Sequence, residues 1–460
     1  MSTETSADVL VIGAGPAGLA AATEAARSGK RVVLVGEGPL GGRATHASLL
    51  PSKVLLHLAE RRRARGDKGL ATPEVVAHLV AEIAGTADHQ AARARERLED
   101  GGVHVVHGLA RFESDTTVLV EREGKPGLVV RFANAIVATG SVPSFPAGFF
   151  GDASGPDGEV IFAPRFVRGL RSLPPEMLVV GGGATGAEAA HAFSALGVQV
   201  SWLLDDLGIL PRFDRELASS LGDVLMERGV RIVHGKAVLS VVRDPHQGAL
   251  AKLDGGRTYA APRAFVAVGR KPDVARLAPE AAGLRVHPRT GALEVDELGR
   301  TSTPHVYAVG DAAGAPFTAT KARAQGWAAA RHATGRPVEA PRRAAWIETV
   351  YTSPEVARVG VTPEEAVRRG APFETRAVGF DSSLRGVLEG CGVDPHARGV
   401  LKVVLAEDET IEGATAIGPR AADVLAPIAT AIHLGARAPQ LHGLFLGDPT
   451  LPALALDALR

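Results

Sequence analysis

The stretch "DVLVIGAGPAGLAAATEAARSGKRVVLV", residues 8 to 35, admits few folds. A short apolar run meets three glycines spaced GxGxxG, then a segment of helix-forming composition, then a second apolar run. That is strand, tight turn, helix, strand. Gly13 permits the turn, Gly15 lets the backbone approach a pyrophosphate, and Gly18 lets the helix pack close on the sheet. A phosphate then sits at the helix N-terminus, where free N–H groups and the helix dipole favour negative charge. Alone the glycine spacing is a weak signal, but in this context it predicts a dinucleotide site rather than a bland Gly-rich turn.

An acid is expected at the end of the second strand, to bind a ribose hydroxyl. Gly36 occupies that place, so the contact is assigned to Glu37, one residue on. The whole pattern returns in "MLVVGGGATGAEAAHAFSALGVQVSWLLD", residues 177 to 205, where Gly181, Gly183 and Gly186 fill the three roles. Two such folds in one chain predict two bound dinucleotides. At the end of the second copy, Leu204 is followed by Asp205 and Asp206, and the first basic residue is Arg212. A carboxylate would repel a 2′-phosphate, which favours NADH, with NADPH left open.

A chain of 460 residues is too long for one core and predicts two to four domains. Zero formal net charge argues against a general nucleic-acid binder, and the basic run "RRRAR" at 61 to 65 reads as a solvated helix face. No secretory signal and no membrane span are expected. The single cysteine, Cys391, rules out an intrachain disulfide, makes a cysteine metal site unexpected, and suits a cytoplasmic protein. No metal site is predicted.

Three more apolar runs stop at glycine turns, where a cofactor can approach the backbone. "FANAIVATGSVP" ends at Thr139 and Gly140, "AFVAVGRKPD" at Gly269 and Arg270, and "TPHVYAVGDAAG" at Gly310 and Asp311. Asp311 could accept hydrogen bonds from a ribityl chain, or instead cap the following helix. Ala319, just beyond, completes the expected cofactor-binding set.

With these motifs and the C-terminal "VYTSPEVARVGVTPEEA", the chain resembles the FAD-dependent pyridine nucleotide-disulfide oxidoreductases over nearly its whole length. That group includes lipoamide dehydrogenase, mercuric reductase and soluble transhydrogenase. The resemblance implies an α/β fold with two Rossmann-like domains, for FAD and NAD(P)H, and a C-terminal α+β domain that builds a homodimer. The FAD domain would take residues 1–150 and 266–340, the NAD(P)H domain 151–265, and the interface domain 341–460.

The stretch "GGRATHASLLPSK", residues 41 to 53, departs from the family. Gly41, Gly42, Pro51, Ser52 and Lys53 match, but the family's two cysteines fall on Ala44 and Leu49. The family's C-terminal His and Glu, which exchange protons with the thiols, fall on Asp448 and Ala453. Thiol–disulfide exchange needs sulfur, and this site has none. The aromatic gate that often covers the flavin falls on Ala184. By contrast, the resemblance places Lys53 and Glu188 as an ion pair beside the flavin, where a cation stabilises the reduced ring.

The expected activity is therefore NAD(P)H-dependent reduction of FAD. Electrons then pass directly to a small non-disulfide acceptor, quinone-like or similar, in a pocket lined by Ala44, His46 and Leu49, with Asp448 from the other subunit. Two alternatives stand beside it. The Thr45–His46 pair resembles soluble transhydrogenases, and a flavin-binding protein without turnover would also tolerate the lost cysteines.

Overall fold

A computed structural model describes residues 3–67, 69–164, 169–394 and 396–460. The chain forms two compact units, Met1–Pro51 with Val80–Phe145 and Gly269–Pro341, and Ser52–Leu79 with Pro146–Val268 and Arg342–Arg460.

The first unit is built on a seven-stranded sheet in the order His104–His107, Val32–Gly36, Thr3–Ile12, Leu128–Val137, Thr117–Glu121, Leu109–Phe112, with Val306–Ala308 also paired to Leu128–Val137. The strand Thr3–Ile12, which leads into the first glycine turn, is central and parallel to its neighbours, with Val11 opposite Leu34 and Ile136. Successive side chains point to opposite faces, and both faces are covered. Leu10, Ile12, Val33 and Val35 pack in one buried cluster, while Val9, Val11, Val32 and Leu34 pack in the other. The second cluster also takes Ala17, Ala21, Ala22 and Ala25, so the small side chains of the helix Pro16–Ala26 let it lie close to the sheet.

The second unit contains a five-stranded parallel sheet in the order Arg231–His234, Gln199–Leu204, Glu176–Val180, Arg263–Val266, Ile161–Phe162. It also contains a five-stranded antiparallel sheet, Glu348–Val350, Glu355–Gly360, Ile411–Gly418, Val400–Ala406, Phe373–Gly379. The antiparallel sheet packs Leu401, Val403 and Ala416 against the apolar face of Ala426–Leu434, through Ile428 and Ile432. The segment 52–79 joins this unit, with the Ala71 amide donating to the Leu196 carbonyl at 2.9 Å. Among the described residues, no helix is long and apolar enough to cross a membrane.

Candidate active site

In each glycine turn, two of the three glycines are demanded by the fold itself. Gly13 adopts φ +113°, and a Cβ on it would stand 2.2 Å from the Ala138 carbonyl oxygen. A Cβ on Gly18 would stand 1.7 Å from the Gly13 oxygen. Gly15, at φ −79°, has nothing within 4 Å of its Cβ position, so the chain itself does not demand glycine there. It is the N-cap of Pro16–Ala26 and offers no side-chain cap, so no cap side chain satisfies the first-turn N–H groups. The second turn repeats the arrangement. Gly181 has φ +115° and its Cβ would meet the Ala267 oxygen at 2.4 Å, Gly186 would meet the Gly181 oxygen at 1.9 Å, and Gly183 faces open space.

The rest of the first cradle converges on the first turn. Gly41 (φ +93°) donates its amide to the Ala14 oxygen at 2.8 Å, and a Cβ on Gly42 would lie 2.9 Å from Gly15 Cα. A Cβ on Gly36 would meet that of Ala14 at 2.9 Å, so the strand's end is crowded at Gly36, and Glu37 follows one residue on. Both carboxylate oxygens of Glu37 accept from Arg276, at 2.8 and 2.7 Å, and this hydrogen bonding holds its carboxyl below the usual range. Thr139 buries a hydroxyl that has no partner among the described residues, and Gly140 (φ +82°) beside it opens onto free space.

Ser141 is a hub that the sequence did not announce. Its hydroxyl donates to Asp311 at 2.5 Å and accepts from Arg270 Nε at 2.9 Å, while its carbonyl accepts from Arg43 at 3.0 Å. Arg43 also pairs with Asp273. Burial lowers the Arg270 pKa, and the charge of Asp311 opposes that. Asp311 lies in the short turn Gly310–Ala313 and caps nothing; Thr318 caps the next helix, whose first residue is Ala319. That helix approaches closely because Gly326 faces the Ala17 carbonyl, where a Cβ would stand at 2.2 Å. Its Lys321 is fully buried and donates to the Gly314 carbonyl.

His46 turns back on its own loop, with Nε2 at 2.9 Å from the Leu40 carbonyl oxygen, so that nitrogen carries the proton. Ala44 is partly exposed and Leu49 is 38% exposed.

In the second unit, the helices Leu49–Ala64 and Ala184–Ala195 carry Lys53 and Glu188. Lys53 Nζ is 2.7 Å from both Glu188 oxygens, and the Tyr351 amide donates to one of them at 3.0 Å. The Tyr351 ring lies under the Lys53 ammonium, 4.7 Å from it. In the sequence Tyr351 stands only as part of a longer motif; its two roles here come from the third dimension. Asp205 accepts from the Leu207 amide at 3.1 Å, and Arg212 pairs with Glu348. Asp448 lies in an exposed segment, and Cys391 is buried in the core of the antiparallel sheet. Among the described residues, no group of three or more His, Cys, Asp or Glu is placed to hold a metal ion.

Two phosphate-ready helix N-termini, a buried unpartnered hydroxyl and an acid at the expected turn define a flavoprotein that also binds a pyridine nucleotide. Residues 7–326 match the pyridine nucleotide-disulphide oxidoreductases, and residues 347–456 match that family's dimerisation domain. The chain belongs to this family. It is an NAD(P)H-dependent flavoprotein oxidoreductase that uses FAD.

Among its relatives, dihydrolipoyl dehydrogenase 3 of Haloarcula marismortui is 31% identical, covering 99% of this chain and 96% of its own. Dihydrolipoyl dehydrogenase of Thermus scotoductus is 32% identical, covering 98% and 96%. The crystal structure of LpdA from Mycobacterium tuberculosis superposes with a TM-score of 0.89 at 28% identity, covering 99% of both chains. The HOCl-induced flavoprotein disulfide reductase RclA of Escherichia coli shares the fold, with a TM-score of 0.84 at 22% identity and 98% of both chains covered.

Proposed function

We propose that this enzyme uses NAD(P)H to reduce a small acceptor, quinone-like or similar, without a redox-active disulfide. The observation that carries this reading is the sulfur inventory. The chain has one cysteine, Cys391, and it lies 1% exposed in the core of the antiparallel sheet. The family's cysteine places hold Ala44 and Leu49, neither of which can form a disulfide or attack one.

FAD, when bound, supplies the chemistry that accepts a hydride and passes electrons onward. The chain's own residues then have separable tasks. The N–H groups after Gly15 hold the pyrophosphate, Thr139 supplies its unpartnered hydroxyl, and Asp311 and Glu37 serve the polyol and ribose oxygens. Glu37 must share or give up Arg276 to do so. Gly183 and the helix after it hold the nicotinamide dinucleotide, with Asp205 beside its ribose. Lys53 offers positive charge to the reduced ring, and Glu188 keeps that charge paired in the resting protein. His46 and Asp448 would face the acceptor, and Asp448 would reach it across a homodimer. The exposed Leu384, Leu388 and Val393 suit burial in such a dimer. A single buried cysteine is in keeping with the cytoplasm.

Anaerobic titration of the purified enzyme with NADH, then NADPH, tests the reading. Bleaching of the flavin at one equivalent, with no long-wavelength thiolate–flavin band, and no turnover of lipoamide would support it. Lipoamide turnover, or a flavin that neither nucleotide bleaches, would overturn it.

A further inference from the structure

Lys53 and Glu188 are not the only charges joining their two helices. Further along Leu49–Ala64 lies Glu60, and one turn beyond Glu188 on Ala184–Ala195 lies His191. His191 Nε2 stands 2.8 Å from Glu60 Oε1. The His191 side chain is 2% exposed and that of Glu60 26%. A histidine this buried, between Ala190 and Ala192, calls for a reason.

The two bridges have opposite polarity. Lys53 on the first helix meets an acid on the second, and Glu60 on the first meets a base on the second. No sliding of one helix along the other can satisfy a wrong register, because Glu60 would then approach the Glu188 carboxylate and Lys53 would meet an imidazole in place of its acid. The spacing also differs. Lys53 and Glu60 are about 10 Å apart along their helix axis, Glu188 and His191 about 5 Å along theirs. One bridge alone would act as a pivot. Two bridges with unequal spacing fix the crossing angle, and so fix where the Lys53 ammonium points. Other charges also face Glu60. Arg63 of its own helix binds it at 3.0 Å, and the half-buried Arg228, at the end of Arg215–Glu227, feels both Glu60 and Arg63, with Glu227 and Asp394 further round.

We propose that Glu60 and His191 are positioning residues for the Lys53–Glu188 pair, a second clamp between the same helices that holds the ammonium where hydride handling needs it. The inference rests on the role given above to Lys53.

The test compares holoenzyme variants Glu60→Gln, His191→Asn and Lys53→Met, singly and with Lys53→Met as background. The first readout is the rate of flavin bleaching by saturating NADH in anaerobic stopped flow. The second, independent of turnover, is backbone hydrogen exchange of the helix Leu49–Ala64 in the unreacted protein. Glu60→Gln and His191→Asn should each slow bleaching roughly 3- to 10-fold, since small misplacements of a reacting group cost that much or more. They should speed exchange around Lys53 and add nothing further in the Lys53→Met background. Glu60→Asp, which keeps the charge, should lose less and serves if Glu60→Gln does not fold.

Wild-type bleaching rates in Glu60→Gln and His191→Asn, beside a slow Lys53→Met, would overturn the clamp alone. Wild-type rates in Lys53→Met would overturn the reading of the pair, and the clamp with it. Slowing that persists in full in the Lys53→Met background would show that Glu60 and His191 act elsewhere, and would overturn the proposal.

Discussion

Lys53 Nζ sits midway between the two carboxylate oxygens of Glu188, 2.7 Å from each. The acid is 8% exposed and the amine 28%, so the pair is buried on the acid's side. Among the described residues, removing the amine leaves a buried carboxylate with the Tyr351 amide as its hydrogen-bond donor.

Lys53→Met should therefore destabilise the protein by about 3 kcal/mol, the order expected when one partner of a buried pair is lost. It should also slow flavin bleaching by at least roughly tenfold, the equivalent of 1.4 kcal/mol in the barrier. Glu188→Gln should cost less, because its amide oxygen can still accept from Lys53 and from Tyr351. Urea denaturation and stopped-flow absorbance measure the two effects separately. A stable Lys53→Met protein with normal bleaching would show the pair to be ornamental.

The glycines at the first turn separate fold from binding. Gly13→Ala demands a left-handed φ and a Cβ 2.2 Å from a backbone oxygen, so it should yield little folded protein. Gly15→Ala meets nothing within 4 Å and keeps an allowed φ. It should fold within about 0.5 kcal/mol of wild type, yet lose FAD on gel filtration, because its methyl occupies the space a pyrophosphate needs. Gly183→Ala should raise the KM for the nicotinamide nucleotide in the same way, with flavin content unchanged.

Much of this was legible in the sequence because it is local. Gly18 and Gly186 are dictated by turns within a few residues of themselves, Gly13 and Gly181 by their own positive φ, and the unbroken apolar run Val9, Leu10, Val11, Ile12 already suits a strand covered on both faces. Pairing Lys53 with Glu188 needed the family resemblance, since no local rule links residues so far apart. Ser141, Arg43 and Tyr351 escaped because their roles depend on strands and turns that meet only in three dimensions. Glu60 and His191 escaped for a plainer reason. Each looks ordinary alone, a glutamate in a basic helix and a histidine among alanines, and only the crossing of their helices pairs them.

Glu60 also sets an acid limit on stability. Burial raises its pKa, but the contact and charge of His191, joined by Arg63, outweigh that and hold it at about 2, against an ordinary 4.5. A carboxyl depressed on folding stabilises the native state above its unfolded pKa, and that contribution drains away as pH falls through the folded value. The loss should fall between about pH 4.5 and about pH 2. With the side chain partly open to water, the effect should be on the order of 1–3 kcal/mol. Thermal melts across that window should therefore drop more steeply for wild type than for Glu60→Gln, and parallel curves would contradict the assignment.

Cys391 offers the sharpest check on a chemistry without sulfur. Burial, with the charges of Asp381 and Glu389 adding to it, pushes its thiol up to about 11. Its surroundings are Phe380, Leu401 and Ala416, packed with it in one core. Only the thiolate is a nucleophile, so at pH 8 a small fraction of an already inaccessible group could react. A chromogenic disulfide reagent should release no dye from the native enzyme and one equivalent from the denatured chain. Cys391→Ser should keep wild-type turnover with NADH and any acceptor that proves active, at some cost in stability from a hydroxyl placed in an apolar core. Rapid labelling of the native protein, or loss of acceptor reduction in a folded, flavin-loaded Cys391→Ser variant, would return sulfur to the mechanism.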